Sequence, residues 1–365
     1  MPQEPLSLSV TSISQFVSFQ NCERYLRFRI YPNEAKDFLD RWGLTIQPLT
    51  PLLADAGTEF EQNVEGKIAE TGEEVIDLRD ADEKETVRWL QEASSPVNLL
   101  QAPVSAQLGR IICRGEADIV RLHRDKGGRL HAHIADIKAS RKPRMEHQLQ
   151  VAAYARAIQE MAREAGAGEI ELQGSVLHLQ EDGSLPDFDP NNPNVDLETY
   201  FTVLERLLSD PDSLVDRVAK LPFDEVSYHL TYRCDGCLFN AVCMYDSSER
   251  QDLSLIQGLT AAEKRALNTS GVTNLRELAS LMDLPERGSK ERSLKVAHDQ
   301  QDVNERLSTQ WSVAPKLPFL VQKARGLLIR GSSSSSWRAA KGRRAQTTFT
   351  PIGYLTLTAV TRSSG

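Results

Sequence analysis

Apolar and polar positions follow two different rhythms along this chain, and the changes between them mark out its elements. In "SISQFVSFQNCERYLRF" apolar residues recur at helical spacing, with Ser12 or Ser14 available as a cap, which predicts a helix. The same period runs through "LADAGTEFEQNVEGKIAETG", ending near Gly72, and through "ADEKETVRWLQEAS", which carries a charged face. Three β-rich runs follow: "VNLLQAPVSAQLG", "RIICRGEADIVRLHR" and "RLHAHIADIKAS". The "DKGG" between the last two supplies the Asp and Gly of a hairpin turn, so an antiparallel meander is predicted. Past Pro143 the helical period returns in "MEHQLQVAAYARAIQEMAREAG", stopped by Gly166, and a further strand follows in "IELQGSVLHL". The order helix, three strands, helix, strand predicts an α/β core.

The rest of the chain has a different texture. "QEDGSLPDFDPNNPNVD" reads as a loop leading into a helix from about Leu197 to Lys220, then a cysteine-bearing loop, "TYRCDGCLFNAVCMYD". "LSLIQGLTAAEKRALNTSGVTNLRELASLMDLP" reads as two short helices forming a small all-α unit, with its boundary near Asp252. Beyond about Thr309 the periodicity fades, and "RGSSSSSWRAAKGRRAQ" is low-complexity and basic. Three regions are therefore expected: a main domain over 1–250, a helical module over 252–308 and a disordered tail over 309–365. The competing reading of that tail is a non-specific electrostatic arm.

Composition changes this picture only at its edges. With 365 residues, 40% of them hydrophobic, the chain can bury a substantial core. No apolar run approaches the roughly 20 residues that cross a bilayer, so no membrane partner is expected. "MPQEPLSLSVTS" lacks the basic and apolar regions of a secretory signal, which makes the reducing cytoplasm the expected compartment. A net charge of -8 leaves the partner open, because a few basic residues or a metal can reverse the field in one cleft.

The candidate chemistry sits in the third strand. Asp136 and Lys138 lie two apart and share a face, while Ile137 points the other way into the core. Across the hairpin, Asp118 can come alongside Asp136. Two carboxylates so close repel unless a cation or a proton relieves them, and oxygen ligands select a hard ion such as Mg²⁺ or Mn²⁺. Glu61, on the preceding helix, is a candidate third carboxylate. Gln150 and Tyr154 share one face of the following helix and can point at the same site.

Gly57-x-x-Phe60-Glu61, Gly115-x-x-Asp118, Asp136-x-Lys138 and Gln150-x-x-x-Tyr154, in this order, resemble the PD-(D/E)XK nuclease superfamily. They are most similar to its RecB-like branch, which includes the CRISPR-adaptation nucleases and the AddB nuclease domain. The resemblance covers roughly residues 10–245. It implies a restriction-endonuclease-like core and a metal-dependent DNA nuclease, an exonuclease acting on single-stranded or duplex ends in repair or recombination, with a helicase as a possible partner. By the same resemblance Asp118, Asp136, Glu61 and the carbonyl of Ile137 bind the metal. Lys138 orients and helps deprotonate the attacking water, and Gln150 and Tyr154 position the strand or the lysine. The competing classes are a non-catalytic nucleic-acid-binding protein built on a degenerate nuclease core and an RNA-processing enzyme on the same fold.

Cys234, Cys237 and Cys243 are spaced C-x2-C-x5-C, tight enough for a shared metal that needs a fourth ligand from elsewhere, and Cys22 is the candidate. Four thiolates fit either a [4Fe-4S] cluster or structural zinc, and the resemblance to iron-sulfur RecB-like nucleases favours the cluster. Cys113 is assigned no function. The helical unit resembles a helix-hairpin-helix module that holds DNA phosphates on backbone amides, with Gly258-Leu259-Thr260 in place of the usual Gly-Ile-Gly turn.

Overall fold

The computed structural model describes residues 6–46, 51–283 and 295–333. The chain divides into two compact units, residues 1–228 and 229–365, so Asp252 lies inside the second.

The first unit opens with a strand, β1 (Leu6–Ser9), that runs directly into α1 (Val10–Ser18). Ser9 is both the last strand residue and the cap, its hydroxyl accepting from the Ser12 amide at 3.1 Å. The single helix expected over residues 12–28 is broken after α1, because Gln20 and Asn21 take left-handed backbone (φ 58° and 57°) before α2 (Glu23–Ile30) begins. Two further helices, α3 (Pro32–Trp42) and α4 (Pro51–Ala69), precede the short strand β2 (Glu74–Asp77) and α5 (Glu83–Glu92).

The meander is formed by β3 (Val97–Leu108), β4 (Ile111–Arg124) and β5 (Leu130–Lys138). Its second turn is built as the sequence suggests: Asp125 Oδ1 accepts from the amides of Gly127 at 2.8 Å and Arg129 at 3.0 Å. Helix α6 (Met145–Glu164) then crosses to β6 (Ile170–His178), which lies parallel to β5. The sheet order is β2-β3-β4-β5-β6, with β1 added parallel to the first part of β4. Helix α6 packs across β3, β5 and β6. Its buried face is rich in small residues, Ala152, Ala153, Ala155 and Ala157 among them. On α4, Phe60, Val64 and Ile68 pack with Leu100, Ile119, Ala135, Ile137 and Leu177. The result is a mixed α/β fold with a curled mixed sheet, consistent with the expected class.

The long helix expected over 197–220 is interrupted. Helix α7 (Leu197–Leu204) widens into a π-helical turn at Glu205–Ser209, and Asp212 is left-handed (φ 63°) before α8 (Leu214–Lys220) starts on its Ser213 cap.

The second unit contains α9 (Asn240–Arg250), α10 (Ala261–Thr269), α11 (Leu275–Ser280), a two-residue ladder of β7 (Met282–Asp283) with β8 (Lys295–Val296), then α12 (Gln301–Ser308) and α13 (Leu317–Ser333). Leu267, Leu275 and Leu278 share a core with Leu307, Leu317, Leu320, Val321 and Ala324. Order thus extends past Thr309, where a disordered tail was expected. Residues 317, 320, 321 and 324 are spaced to give one apolar helical stripe, and that stripe is buried. Most of "RGSSSSSWRAAKGRRAQ", and everything after Ser333, lies outside the described residues.

The turn between β3 and β4 yields a test of the packing. Gly109 is left-handed (φ 61°), and a Cβ there would stand 2.7 Å from Ser209 Cα and 2.8 Å from the Leu208 carbonyl oxygen. Backbone atoms cannot swing aside, so Gly109→Ala should cost about 2–4 kcal/mol. A lowered urea midpoint at unchanged m-value is expected; a wild-type midpoint would contradict this packing.

Candidate active site

A change of partners along β4 creates the cleft. β3 occupies one side of β4 nearly throughout, while the other side pairs with β1 over residues 111–114 and with β5 over 119–124. Between those ladders Gly115, Glu116 and Ala117 pair with β3 alone among the described strands, and their other side is open. A cleft of about 590 Å³ opens there, lined by Thr11, Ser14, Gln15 and Ser18 of α1, by Gln101 and Asp118 from the sheet, and by Lys138, His147, Gln150 and Tyr154.

Asp118 and Asp136 meet at the base of this cleft, because the β4–β5 register, which pairs Ile119 with Ala135, brings them opposite each other. Asp136 is 0% exposed. Its Oδ1 accepts from Lys138 Nζ at 2.8 Å and from Gln150 Nε2 at 3.0 Å. Its Oδ2 lies 2.8 Å from the same ammonium yet accepts no aligned hydrogen bond among the described residues. Asp118 Oδ2 accepts from the Ile137 amide at 2.6 Å, and the Ile137 side chain is buried on the α4 face, as the alternation predicts.

Charge at this spot is strongly perturbed. Burial pushes the Asp136 carboxyl upward, and Asp118 beside it adds to the shift. Burial raises Asp118 as well, with Lys138 and the Ile137 amide offsetting only part. Burial alone would lower Lys138, but Asp136, Asp118 and Glu61 outweigh it and keep the ammonium charged above its ordinary range.

Glu61 approaches from α4. Gln101 Nε2 donates to Glu61 and, at 3.3 Å, to Glu65 one helical turn further on. Arg79 holds Glu65 through both carboxylate oxygens and also reaches Asp77 at 2.6 Å. Burial raises Glu61, and Asp118 and Glu65 raise it further. Gln101, Glu65 and Arg79 were not singled out from sequence. The signals present were the second Glu at i+4 and a polar residue interrupting the apolar run "LLQAP".

Gln150 and Tyr154 both face the cleft, as expected from their shared helical face. The Tyr154 ring lies against β4 at Gly115, where a Cβ would stand 3.0 Å from Tyr154 Cε1 and 3.3 Å from its hydroxyl. Any larger residue at 115 would push the ring away. Burial, then Asp136 and Asp118, raise the Tyr154 hydroxyl, so it stays neutral. His147, missed from sequence, also lines the cleft; burial and the neighbouring Lys138 lower it to about 4.

The donor set is all oxygen, and a buried carboxylate oxygen of Asp136 still has capacity to accept; this chemistry fits a hard divalent cation. Asp118, Asp136 and the Ile137 carbonyl would hold it, with Glu61 at hand. Among the described residues, however, no group of three or more His, Cys, Asp or Glu side chains is already gathered as a metal cage.

The cysteine quartet finds no support. Cys22 caps α2 in the first unit, whereas Cys234, Cys237 and Cys243 belong to the second. Cys234 Sγ accepts from the Thr231 amide at 3.4 Å and caps its own turn. The [4Fe-4S] expectation, and zinc as its alternative, therefore rest on spacing and resemblance alone. Cys113 is buried, which drives its thiol up to about 12.

The expected phosphate turn is engaged by the chain itself. In Gly258-Leu259-Thr260 the Leu259 amide donates to the Ile256 carbonyl at 3.1 Å and the Thr260 amide to Glu263 Oε2 at 2.7 Å. Burial would raise Glu263, but Lys316 and the Thr260 bonds outweigh it and hold the carboxylate below its ordinary range. A phosphate at that turn would face a negative charge.

Residues 50–244 match the family model of the PD-(D/E)XK nuclease superfamily. That span is more than half of the 365 residues and contains Glu61, Asp118, Asp136, Lys138, Gln150 and Tyr154. The chain belongs to the PD-(D/E)XK nuclease superfamily, a family of hydrolases acting on nucleic acid. No curated protein matches the chain. A solved structure described as "Crystal structure of SSO0001" is similar at 17% identity and a TM-score of 0.31, covering 67% of this chain and 88% of that one. Among the described residues no helix is long and apolar enough to cross a membrane.

His133, on the opposite face of β5 from Asp136, makes the site's support sensitive to pH. It is buried, bonds Ser175 Oγ at 2.8 Å, and is lowered by burial to about 4. The unfolded chain takes up this proton near pH 6.5 and the folded one does not, so stability rises with pH across the window. Falling from about pH 6.5 to about pH 4 should cost on the order of 2–3 kcal/mol from this residue. His133→Gln should flatten the urea-measured stability curve over that interval. An unchanged slope would contradict the assignment.

Proposed function

We propose that this chain is a metal-dependent DNA nuclease that hydrolyses phosphodiester bonds in the cleft between α1, β4, β5 and α6. The observation that carries the reading is the placement of Asp118 and Asp136 side by side with Lys138 at the base of a polar cleft. Mg²⁺ or Mn²⁺ held there would supply Lewis-acid activation of the phosphate and of a bound water. Lys138, kept charged by its carboxylate neighbours, orients the attacking water and donates to the charge that develops on the scissile phosphate. Gln150 fixes Asp136, and the neutral Tyr154 hydroxyl, bonded to Gln150, stands at the cleft wall where the strand would lie. Arg141, Lys142 and Arg144 are exposed in the loop between β5 and α6, and Arg144 lines the cleft. Together they offer sequence-independent contacts to backbone phosphates.

DNA as substrate, attack from single-stranded or duplex ends, a repair or recombination setting and a helicase partner are the reading that the RecB-like motif pattern supports. A cleavage assay on end-labelled single- and double-stranded DNA and on RNA of the same sequence tests it. Mg²⁺- or Mn²⁺-dependent DNA cleavage should vanish with EDTA. Asp136→Ala and Lys138→Ala should each lose more than about 100-fold in turnover while keeping fold and DNA affinity. Undiminished metal-dependent cleavage by Asp136→Ala would reject the site, and cleavage of RNA alone would reject the substrate.

A further inference from the structure

Opposite Asp118 the β3 backbone leaves the ladder at a residue unsuited to do so. Leu100 pairs with Ile119 and Ala102 with Ala117, but the intervening pair, Gln101 with Asp118, is missing. Gln101 has φ 52°, in the left-handed region, although it is a non-glycine residue only 7% exposed within a strand. A side chain in this conformation is strained relative to glycine, and such strain persists where surrounding contacts impose it. Those contacts are specific: the Gln101 amide enters the cleft and donates to Glu61 and to Glu65.

Glu61 and Glu65 stand one turn apart on α4 and are treated differently. Arg79 grips Glu65 through both oxygens and cancels its charge. The Gln101 amide is neutral, so it orients the Glu61 carboxylate without cancelling its charge. Arg79 and Lys138 act on Glu61 only through space, so its carboxylate oxygens are not taken up by a cation as those of Glu65 are.

We infer that Gln101 is a positioning residue of the metal centre: its left-handed backbone turns the amide into the cleft, where it holds Glu61 as the third carboxylate beside Asp118 and Asp136. The inference rests on the nuclease reading and adds to it the device that distinguishes Glu61 from Glu65.

Mn²⁺ binding, followed through the electron paramagnetic resonance of free Mn²⁺, and thermal melting in EDTA test it on the full chain. Gln101→Gly and Gln101→Ala should each bind Mn²⁺ roughly tenfold more weakly, the effect expected of a residue that orients a ligand. Gln101→Gly should melt higher than Gln101→Ala, the reverse of the order at a regular strand position. Adding Gln101→Ala to Glu61→Gln should weaken binding no further, since both changes remove one interaction. Wild-type affinity in Gln101→Gly, or additive losses in the double variant, would overturn the inference. A lower melting point for glycine than for alanine would overturn the strain argument on which it stands. Asp136→Ala separates the two levels. If it abolishes Mn²⁺ binding while the Gln101 variants do not weaken it, only the Gln101 role fails; if it too binds like wild type, the metal-centre reading fails with it.

Discussion

Burying two carboxylates at one point is the constraint from which the rest of the first unit follows. Asp136 is fully buried beside Asp118, and the cation at hand is the single ammonium of Lys138. Burial pushes both carboxyls up, Asp118 adds to the rise at Asp136, and the two carboxylates in turn hold the lysine charged. A structural ion pair would not need the second aspartate. An arrangement that retains it fits the proposed role, in which a bound divalent cation would supply the further positive charge.

The fold answers this constraint by opening the sheet at one place. β4 changes neighbours between Arg114 and Ile119, so on the side away from β3 the backbone leading up to Asp118 faces a cleft. The small residues on the buried face of α6 suit close packing on the sheet, and Gly115 lets the Tyr154 ring settle against β4. Gln150 then reaches Asp136 from the same helix. The second unit has its own core, and the hairpin turn that resembles a phosphate site is closed by its own Glu263.

The meander, α6 and the facing of Asp118, Asp136 and Lys138 were legible in the sequence because each rests on a long periodic pattern or a turn of fixed chemistry. What escaped had weaker or conflicting signals. β1 and β2 are four residues each, too short for alternation to register. The break at Gln20–Asn21 lies inside an apolar period that continues on both sides of it, so the pattern alone joins α1 to α2. For α13 the apolar stripe at 317, 320, 321 and 324 was present, but the adjoining serine-rich stretch masked it. Gln101 is the deepest omission: composition does not report a left-handed residue in a strand, and only the three-dimensional approach of Glu61 gives it meaning. For the cysteines, spacing and resemblance remain the whole of the argument for a shared site.

We propose that Asp118 and Asp136 together form a cation site. Anomalous diffraction from crystals grown with Mn²⁺ tests it most directly, because the ion itself is located. One strong peak is expected at the base of the cleft, bonded to a carboxylate oxygen of Asp118, the buried Oδ2 of Asp136 and the carbonyl oxygen of Ile137. A fully occupied peak elsewhere, with Asp136 still bound to Lys138 and Gln150 alone, would contradict it.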